Sequence, residues 1–465
     1  MVRKTKTIAV ADCETDPFEH GKDIQPFIWG YYNGLDYLEF TDTKEFVEHV
    51  AKQNVTVYAH NGGKFDWHFL ADYIEPYKPV MVINGRLSRF KIGNAEFRDS
   101  FNILPTALAA FQKEKFEYWK LKKEHRVKYW KEIQRYLESD CLNLYSYISK
   151  FIELYGKHLT LASAAMKQWE KINGKVEQTT DTFYDLFSRF YYGGRVQCFQ
   201  SGIITDEITI ADINSAYPYA MTHDHPSGKE FILRKKLPNN KNSISRSFIE
   251  LECVSYGAFP IRTKSGLTFP YGEKSNFFVT GWEYIKAVDL GLIDDITIKR
   301  VFTFQKKIKF NDYINKFFTL KQEAKENGDK AAYIFAKLFL NSLYGKFAAN
   351  PDKYREYILS DHDSIRDMSD NGYCFTGAFG KWALLEKPLS DSKRRYFNVA
   401  TAASITGFVR AQLLEAIHNV DNPLYCDTDS IVYTGEAKIP LGDKLGEWDI
   451  EGKATEGAIA GKKLY

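Results

Sequence analysis

Carboxylates in this chain come in close pairs. In "LYCDTDSIVYTG", Asp427 and Asp429 are separated by one residue between two apolar, strand-like runs, and in "VADCETD" Asp12 and Glu14 have the same spacing on an expected strand. Residues i and i+2 of a strand leave the same face, so each pair concentrates like charge. Such a pair is destabilising unless solvent or a cation reaches it. Turn chemistry would account for D-T-D alone, since Asp and Thr are good turn residues. Further acids follow elsewhere. "HNGGKFD" brings Asp66 at a turn into a helix, and "YLESDCLNLY" brings Tyr136 and Asp140 onto one helix face. "ADINSAYPYAM" sets Asp212 at a strand end, where an Asx turn capping a helix is the alternative reading. "KLFLNSLYGKFAANP" reads as a helix with Lys337, Asn341 and Tyr344 on one face and Leu338, Leu340 and Leu343 turned away toward a core. A cation meets phosphates, a flat ring meets a base, and something doubly positive suits the grouped carboxylates.

The elements that must position these groups are legible in outline. At 465 residues, with 44% hydrophobic and 26% charged residues, the chain is globular and long enough for several domains. It has no run of eighteen apolar residues, so no membrane span is expected, and its start lacks a signal-peptide core. Six scattered cysteines without a C-x-x-C pair fit a reducing compartment and no structural zinc. Net charge is only +3, but 113–131 carries eight Lys/Arg against three Glu, and 300–337 carries nine against four acids. Both stretches are interleaved with aromatics, which suits a groove that tracks a nucleic-acid backbone; a solvated helix face is the plainer alternative for either one. Strands followed by a long helical region fill the first ~165 residues, as in an α/β domain of ordinary size. A polar connector near 173–182 marks a boundary. Beyond it lie a β-rich stretch to about 304, a helical block over 311–349, an irregular charged stretch over 351–395, a helix over 399–419 and a hairpin over 424–434.

In this order and spacing, the D-x-E, N-x-x-x-F-D and Y-x3-D fragments resemble the three exonuclease motifs of proofreading 3′–5′ exonucleases. "DINSAYP", "KLFLNSLYG" and "YCDTDS" resemble motifs A, B and C of family B DNA polymerases. "YYGGR" and the final "KLY" resemble the protein-primed subgroup. The resemblance covers essentially the whole chain. It implies an α/β and α+β multidomain fold, in which a ribonuclease H-like exonuclease domain precedes an antiparallel palm with helical fingers and two insertions. The expected divisions are 1–170 exonuclease, 171–221 connector and first part of the palm, 222–310 first insertion, 311–350 fingers, 351–397 second insertion, and 398–465 second part of the palm. The insertions lie where the subgroup contacts its terminal protein and encircles the template.

The resemblance also implies roles. Asp212 and Asp429 would ligate two Mg2+ (or Mn2+) ions, with Asp427 beside them. Lys337, and further upstream Lys321, would hold the triphosphate. Tyr217 would exclude a 2′-hydroxyl, and Tyr344 and Asn341 would frame the nascent base pair. Tyr191, Gly193 and Gly194 would contact the template strand, Thr406 and Arg410 the primer-template, and Lys463 and Tyr465 the primer. In the exonuclease half, Asp12, Glu14, Asp66 and Asp140 would hold two further metals and Tyr136 would orient the water. Thr15, Asn61, Phe65 and Ser100 would bind the single-stranded 3′ end, and either Lys113 or Lys115 would serve as an additional catalytic lysine. Val409 and Phe101 depart from the family's usual residues. The chain ends on K-x-Y, so the thumb subdomain that follows in the family is expected to be missing.

The resulting expectation is a protein-primed, strand-displacing DNA polymerase with 3′–5′ proofreading. Its partners would be template-primer DNA, dNTPs and a terminal protein, acting as a monomer or as a heterodimer with that protein, in the host cytoplasm if virus-encoded. Two alternatives remain at this level: a 3′–5′ exonuclease whose polymerase half is non-productive, and a non-enzymatic DNA-binding remnant. Complete acid sets in both halves argue against the last.

Overall fold

The computed structural model describes residues 7–17, 24–107 and 116–464. The chain divides into two compact units. One gathers 1–164, 324–335 and 351–394; the other gathers 165–323, 336–350 and 395–465.

The first unit is built on a ten-stranded mixed sheet. Its order is Cys374–Phe379, Trp382–Pro388, Arg355–Ser360, Pro79–Ile83, Arg86–Ile92, Ala95–Asp99, Val55–Ala59, Thr7–Thr15, Pro26–Tyr32 and Tyr37–Phe40. Thr7–Thr15 lies parallel to Val55–Ala59 and antiparallel to Pro26–Tyr32, and Val55–Ala59 lies parallel to Ala95–Asp99. These central strands read as near-continuous apolar runs because both faces are covered, and all of Val55–Ala59 is buried. One cover is the 33-residue helix Lys123–Tyr155, whose Leu137, Cys141, Leu144 and Ile148 are buried. It approaches so closely that a Cβ on Gly30 would lie 2.9 Å from Leu137 Cγ and 3.1 Å from Cys141 Sγ. Gly30 stands opposite Asp12 in the sheet, so this approach sets the helix at the depth of the acidic strand.

The 351–395 stretch differs from expectation. It is not irregular: it forms three antiparallel strands that extend the first unit's sheet, with Tyr357 opposite Val80. Leu359 and Phe379 enter the core that holds Trp29, Trp67 and Phe97. Its charged residues mask this pattern because the strands are half-exposed, with polar and apolar side chains sharing each face.

The second unit contains a five-stranded, wholly antiparallel sheet ordered Trp448–Ala454, Ile208–Ile213, Ser430–Ala437, Val420–Asp427 and Val196–Cys198. The helix Val399–Asn419, buried along most of its length, packs against both hairpin strands. A four-stranded antiparallel sheet, Phe231–Arg234, Ile293–Phe304, Ser247–Tyr256 and Tyr271–Thr280, accounts for much of 222–310. An aromatic core of Phe183, Phe187, Phe190, Phe248, Phe302 and Phe304 joins that sheet to the start of Val399–Asn419. Around 173–182 one helix, Leu161–Asn173, ends and the next, Asp181–Ser188, begins under an N-cap in which Thr180 accepts from Phe183 N at 3.1 Å, while the two units divide earlier, between 164 and 165. The helical block is two helices, Asn311–Glu326 and Lys330–Phe347, turned at Gly328 and stopped before Pro351. It is not a single body in the domain division, since 324–335 groups with the first unit. Among the described residues no helix is long and apolar enough to cross a membrane.

Candidate active sites

In the second unit, Asp212 sits at the end of Ile208–Ile213, opposite Ser430 on one side and Asp449 on the other. The hairpin Val420–Asp427/Ser430–Ala437 carries the other two acids across its turn. Thr428, with φ +64°, makes that turn, and Asp429 N donates to Asp427 O at 2.7 Å. Ile213 N donates to Asp429 O at 2.9 Å, which ties the turn to the strand of Asp212.

The carboxyls differ in their surroundings. Asp427 accepts from Lys463 Nζ at 2.6 Å and from Thr428 Oγ1 at 3.0 Å. Asp212 and Asp429 make no ion pair among the described residues. Burial, then Asp429 and Glu451, pushes the Asp212 carboxyl up to about 7. Burial, then Asp427, pushes Asp429 up to about 6. Two oxygen-donor groups that repel one another at a strand end fit a hard divalent cation, which would favour their charged forms. Asp427 thus has its own lysine, while Asp429 has none among the described residues.

Beside these acids, the rings of Tyr217 and Tyr344 stack in parallel, 4.3 Å between centroids and 2° between planes. Burial raises both hydroxyls, Tyr344 to about 12 with Tyr191 contributing, and the Asp429 charge reaches both. Lys337 and Asn341 are exposed on the same helix, and the Lys337 charge is felt at Asp212. Lys321, on the preceding helix, lies 5.8 Å from the Phe318 ring centroid.

The residues expected to touch DNA are of two kinds. Gly193 faces open space. Gly194 does not: a Cβ there would meet Thr428 Cγ2 and Oγ1 at 2.7 Å, so this glycine is required by the turn between Asp427 and Asp429. The Tyr191 carbonyl accepts from Arg262 Nη2 at 2.8 Å. Thr406 and Arg410 are buried within Val399–Asn419. Thr406 Oγ1 donates to Ala403 O at 3.1 Å, and Arg410 pairs with Glu283 at 2.8 Å. Both therefore stand behind the surface on which they were expected. Tyr465, Lys113 and Lys115 lie outside the described residues.

In the first unit, Asp12 and Glu14 on Thr7–Thr15 meet Asp66, at the head of the short helix Asp66–Tyr73, and Asp140 and Tyr136 from Lys123–Tyr155. Their proximity is recorded in two thiols. Burial raises Cys13 and Cys141, and the charges of Asp12, Glu14 and Asp66 act on both, with Asp140 also acting on Cys141. Cys13 Sγ donates to Asp66 Oδ1 at 3.3 Å, and burial pushes Asp66 up to about 6. Burial raises the Tyr136 hydroxyl, followed by Tyr118, whose hydroxyl is 3.5 Å away, and then by Asp140 and Glu14. No three of the described acids stand in ready metal-holding geometry. Four carboxyls whose charges fall on the same buried thiols nevertheless fit divalent cations by donor type.

Around them, Ser100 Oγ donates to Ala59 O at 3.1 Å and lies 3.1 Å from His60 Nδ1. Asn61, with φ +63°, accepts from Arg86, whose guanidinium lies 4.2 Å from the Phe101 ring centroid. Phe65 meets Phe69 edge-on at 5.2 Å, and Thr15 Oγ1 donates to Asp16 O at 3.1 Å.

Two acids near Asp212 and Asp429 escaped the motif reading: Asp449 and Glu451, whose charges act on Asp212, Glu451 acting on Asp429 as well. The signal was available. "WDIE" repeats the D-x-E strand spacing of Asp12 and Glu14.

Comparison with known proteins follows the same lines. The family described as DNA polymerase type B, organellar and viral, matches residues 109–430. The chain is 38% identical over 468 residues to a DNA-directed DNA polymerase of Enterobacteria phage PRD1, covering 98% of this chain and 82% of that one. It is 24% identical to a probable DNA polymerase of Ascobolus immersus, over 99% of this chain and 45% of the other. Among solved structures it resembles phi29 DNA polymerase complexed with single-stranded DNA, with a TM-score of 0.78 at 20% identity, over 99% of this chain and 86% of that one. The same polymerase complexed with primer-template DNA and incoming nucleotides gives 0.76.

Proposed function

The chain belongs to the type B DNA polymerases of organelles and viruses and is a DNA-directed DNA polymerase; from this premise we propose that it starts DNA on a terminal protein and edits its own 3′ ends. The observation that supports the polymerase chemistry most directly is the repelling pair Asp212 and Asp429 beside the Tyr217–Tyr344 stack. Divalent cations, Mg2+ or Mn2+, held by Asp212 and Asp429 would neutralise charge on the reacting phosphates. Lys337 meets the triphosphate of the incoming dNTP. The stacked tyrosines form a flat floor under the new nucleotide, where Tyr217 leaves no room for a 2′-hydroxyl, and Asn341 frames the base. Asp427, neutralised by Lys463, orients the turn and leaves Asp429 facing the cation.

Editing is assigned to the first unit. Asp12, Glu14, Asp66 and Asp140 would hold the cations of that reaction, and Tyr136 would orient the attacking water. Ser100, Asn61 and Phe65 receive the unpaired 3′ end. The phage relative supports action in the host cytoplasm. Primer extension and 3′ degradation on one labelled duplex test the assignment. Asp429→Ala should abolish extension and spare degradation, and Asp12→Ala should do the reverse. Loss of both activities together in each variant would refute two separate sites.

A further inference from the structure

We infer that the buried Glu283–Arg410 pair is a positioning device for nucleotide addition: it fixes the 191–195 loop, and the loop in turn fixes the turn that carries Asp427 and Asp429. The contacts form one continuous chain. Glu283, at the start of the helix Gly281–Asp289, takes Thr280 N at 3.1 Å and Thr280 Oγ1 at 2.8 Å on one oxygen. Its other oxygen takes Arg410 Nε at 2.8 Å, and both side chains are 2% exposed. Arg410 Nη1 then donates to Tyr192 O at 2.7 Å and Gly193 O at 2.9 Å, gripping two successive carbonyls of the loop.

At its far end the loop meets the catalytic turn. Arg195 O accepts from Thr428 N at 2.7 Å, and Gly194 packs on Thr428 without room for a methyl group. Arg195 is itself anchored, Nη1 donating to Gly257 O at 2.9 Å. Thr428 is the residue between the two aspartates, and its hydroxyl donates to Asp427. With φ +64°, it holds a backbone conformation that threonine does not favour, so an outside hold on its N–H bears directly on whether the turn keeps its shape. Arg410 reaches no solvent through which a phosphate could approach. Its influence on the reaction therefore runs through carbonyls to the turn.

The test uses the full chain, a 5′-labelled primer-template duplex and dNTPs. Arg410→Lys keeps a cation facing Glu283 but cannot grip both carbonyls. Single-nucleotide addition should slow by about tenfold or more, because sub-ångström misplacement of reacting groups is costly. The KM for dNTP and the Kd for duplex should stay within about twofold, and the slope of log Kd against log salt should not change. A lost phosphate contact would instead flatten that slope by ~0.9. Gly194→Ala, which disturbs the same turn from the loop side and leaves the ion pair intact, should reproduce the loss in kcat. A weaker Kd with a flatter salt slope in Arg410→Lys would overturn the inference in favour of direct DNA contact. A lowered Tm with unchanged kcat, or full kcat in Gly194→Ala, would overturn it as well.

Discussion

Replacing Asp212 by Asn should stabilise the metal-free protein at alkaline pH while abolishing nucleotide addition. The carboxyl is pushed up to about 7 by burial and by the neighbouring acids, whereas an unfolded aspartate titrates near ~3.9. Between those values the folded chain retains a proton that the unfolded chain has released. Stability from this group is therefore fully present below about pH 4 and is lost as pH rises through about 7. Some three units at ~1.36 kcal/mol each give ~4 kcal/mol, which solvent screening of a half-buried carboxyl reduces to ~2 kcal/mol. For a unit of this size each kcal/mol moves the melting temperature by ~2–4 °C, so the variant should melt about 4–8 °C above the wild type at pH 8 in EDTA. At pH 5 about a third of the gap should remain, since only the first unit of the shift has been crossed. Saturating Mg2+ should narrow the gap at pH 8 by binding the charged wild type. Differential scanning calorimetry at the two pH values, with and without Mg2+, reads all of this. Equal melting temperatures at pH 8 in EDTA, or a variant that melts lower, would refute the claim that Asp212 is held against its charge.

Glu451→Gln should raise the Mg2+ concentration for half-maximal extension about tenfold, since a charge acting on both Asp212 and Asp429 is removed. An Mg2+ titration at saturating duplex checks it, and an unchanged requirement would exclude Glu451 from the cation's field. Phe187→Ala should cost ~3–5 kcal/mol, because its ring centroid lies 4.6–6.2 Å from those of six other phenylalanines in a closed core. Urea unfolding reads the loss as a lowered midpoint, and a shift under ~1 kcal/mol would mean that the aromatic cluster repacks.

What was legible in the sequence was local and periodic. The strand of Asp12 and Glu14, the hairpin of Asp427 and Asp429, and the helix with Lys337, Asn341 and Tyr344 on one face each follow from the period of their own apolar residues. Pairings between distant segments left no such trace. Nothing in 355–388 announces that Tyr357 lies beside Val80. Arg410 is expected at the DNA because "SITGFVR" resembles a primer-template motif, and its burial is explained by partners far away in sequence, Glu283 at 127 residues and the Tyr192 and Gly193 carbonyls. Gly194 has a similar history: the motif accounts for a glycine by close approach of DNA, whereas the approaching group is Thr428. Asp449 and Glu451 were readable by the same rule as Asp12 and Glu14, but no motif drew attention to them.

The order in which the first unit's sheet is completed has a consequence for synthesis on the ribosome. All four of that unit's site acids have been translated by residue 140, yet the strand Pro79–Ile83 gains its outer neighbour only when Arg355–Ser360 emerges. During the intervening synthesis of more than two hundred residues, its outer edge presents unpaired N–H and C=O groups. Nascent chains are thus exposed to edge-to-edge association over that interval, and the soluble yield should depend on how quickly translation reaches Arg355–Ser360.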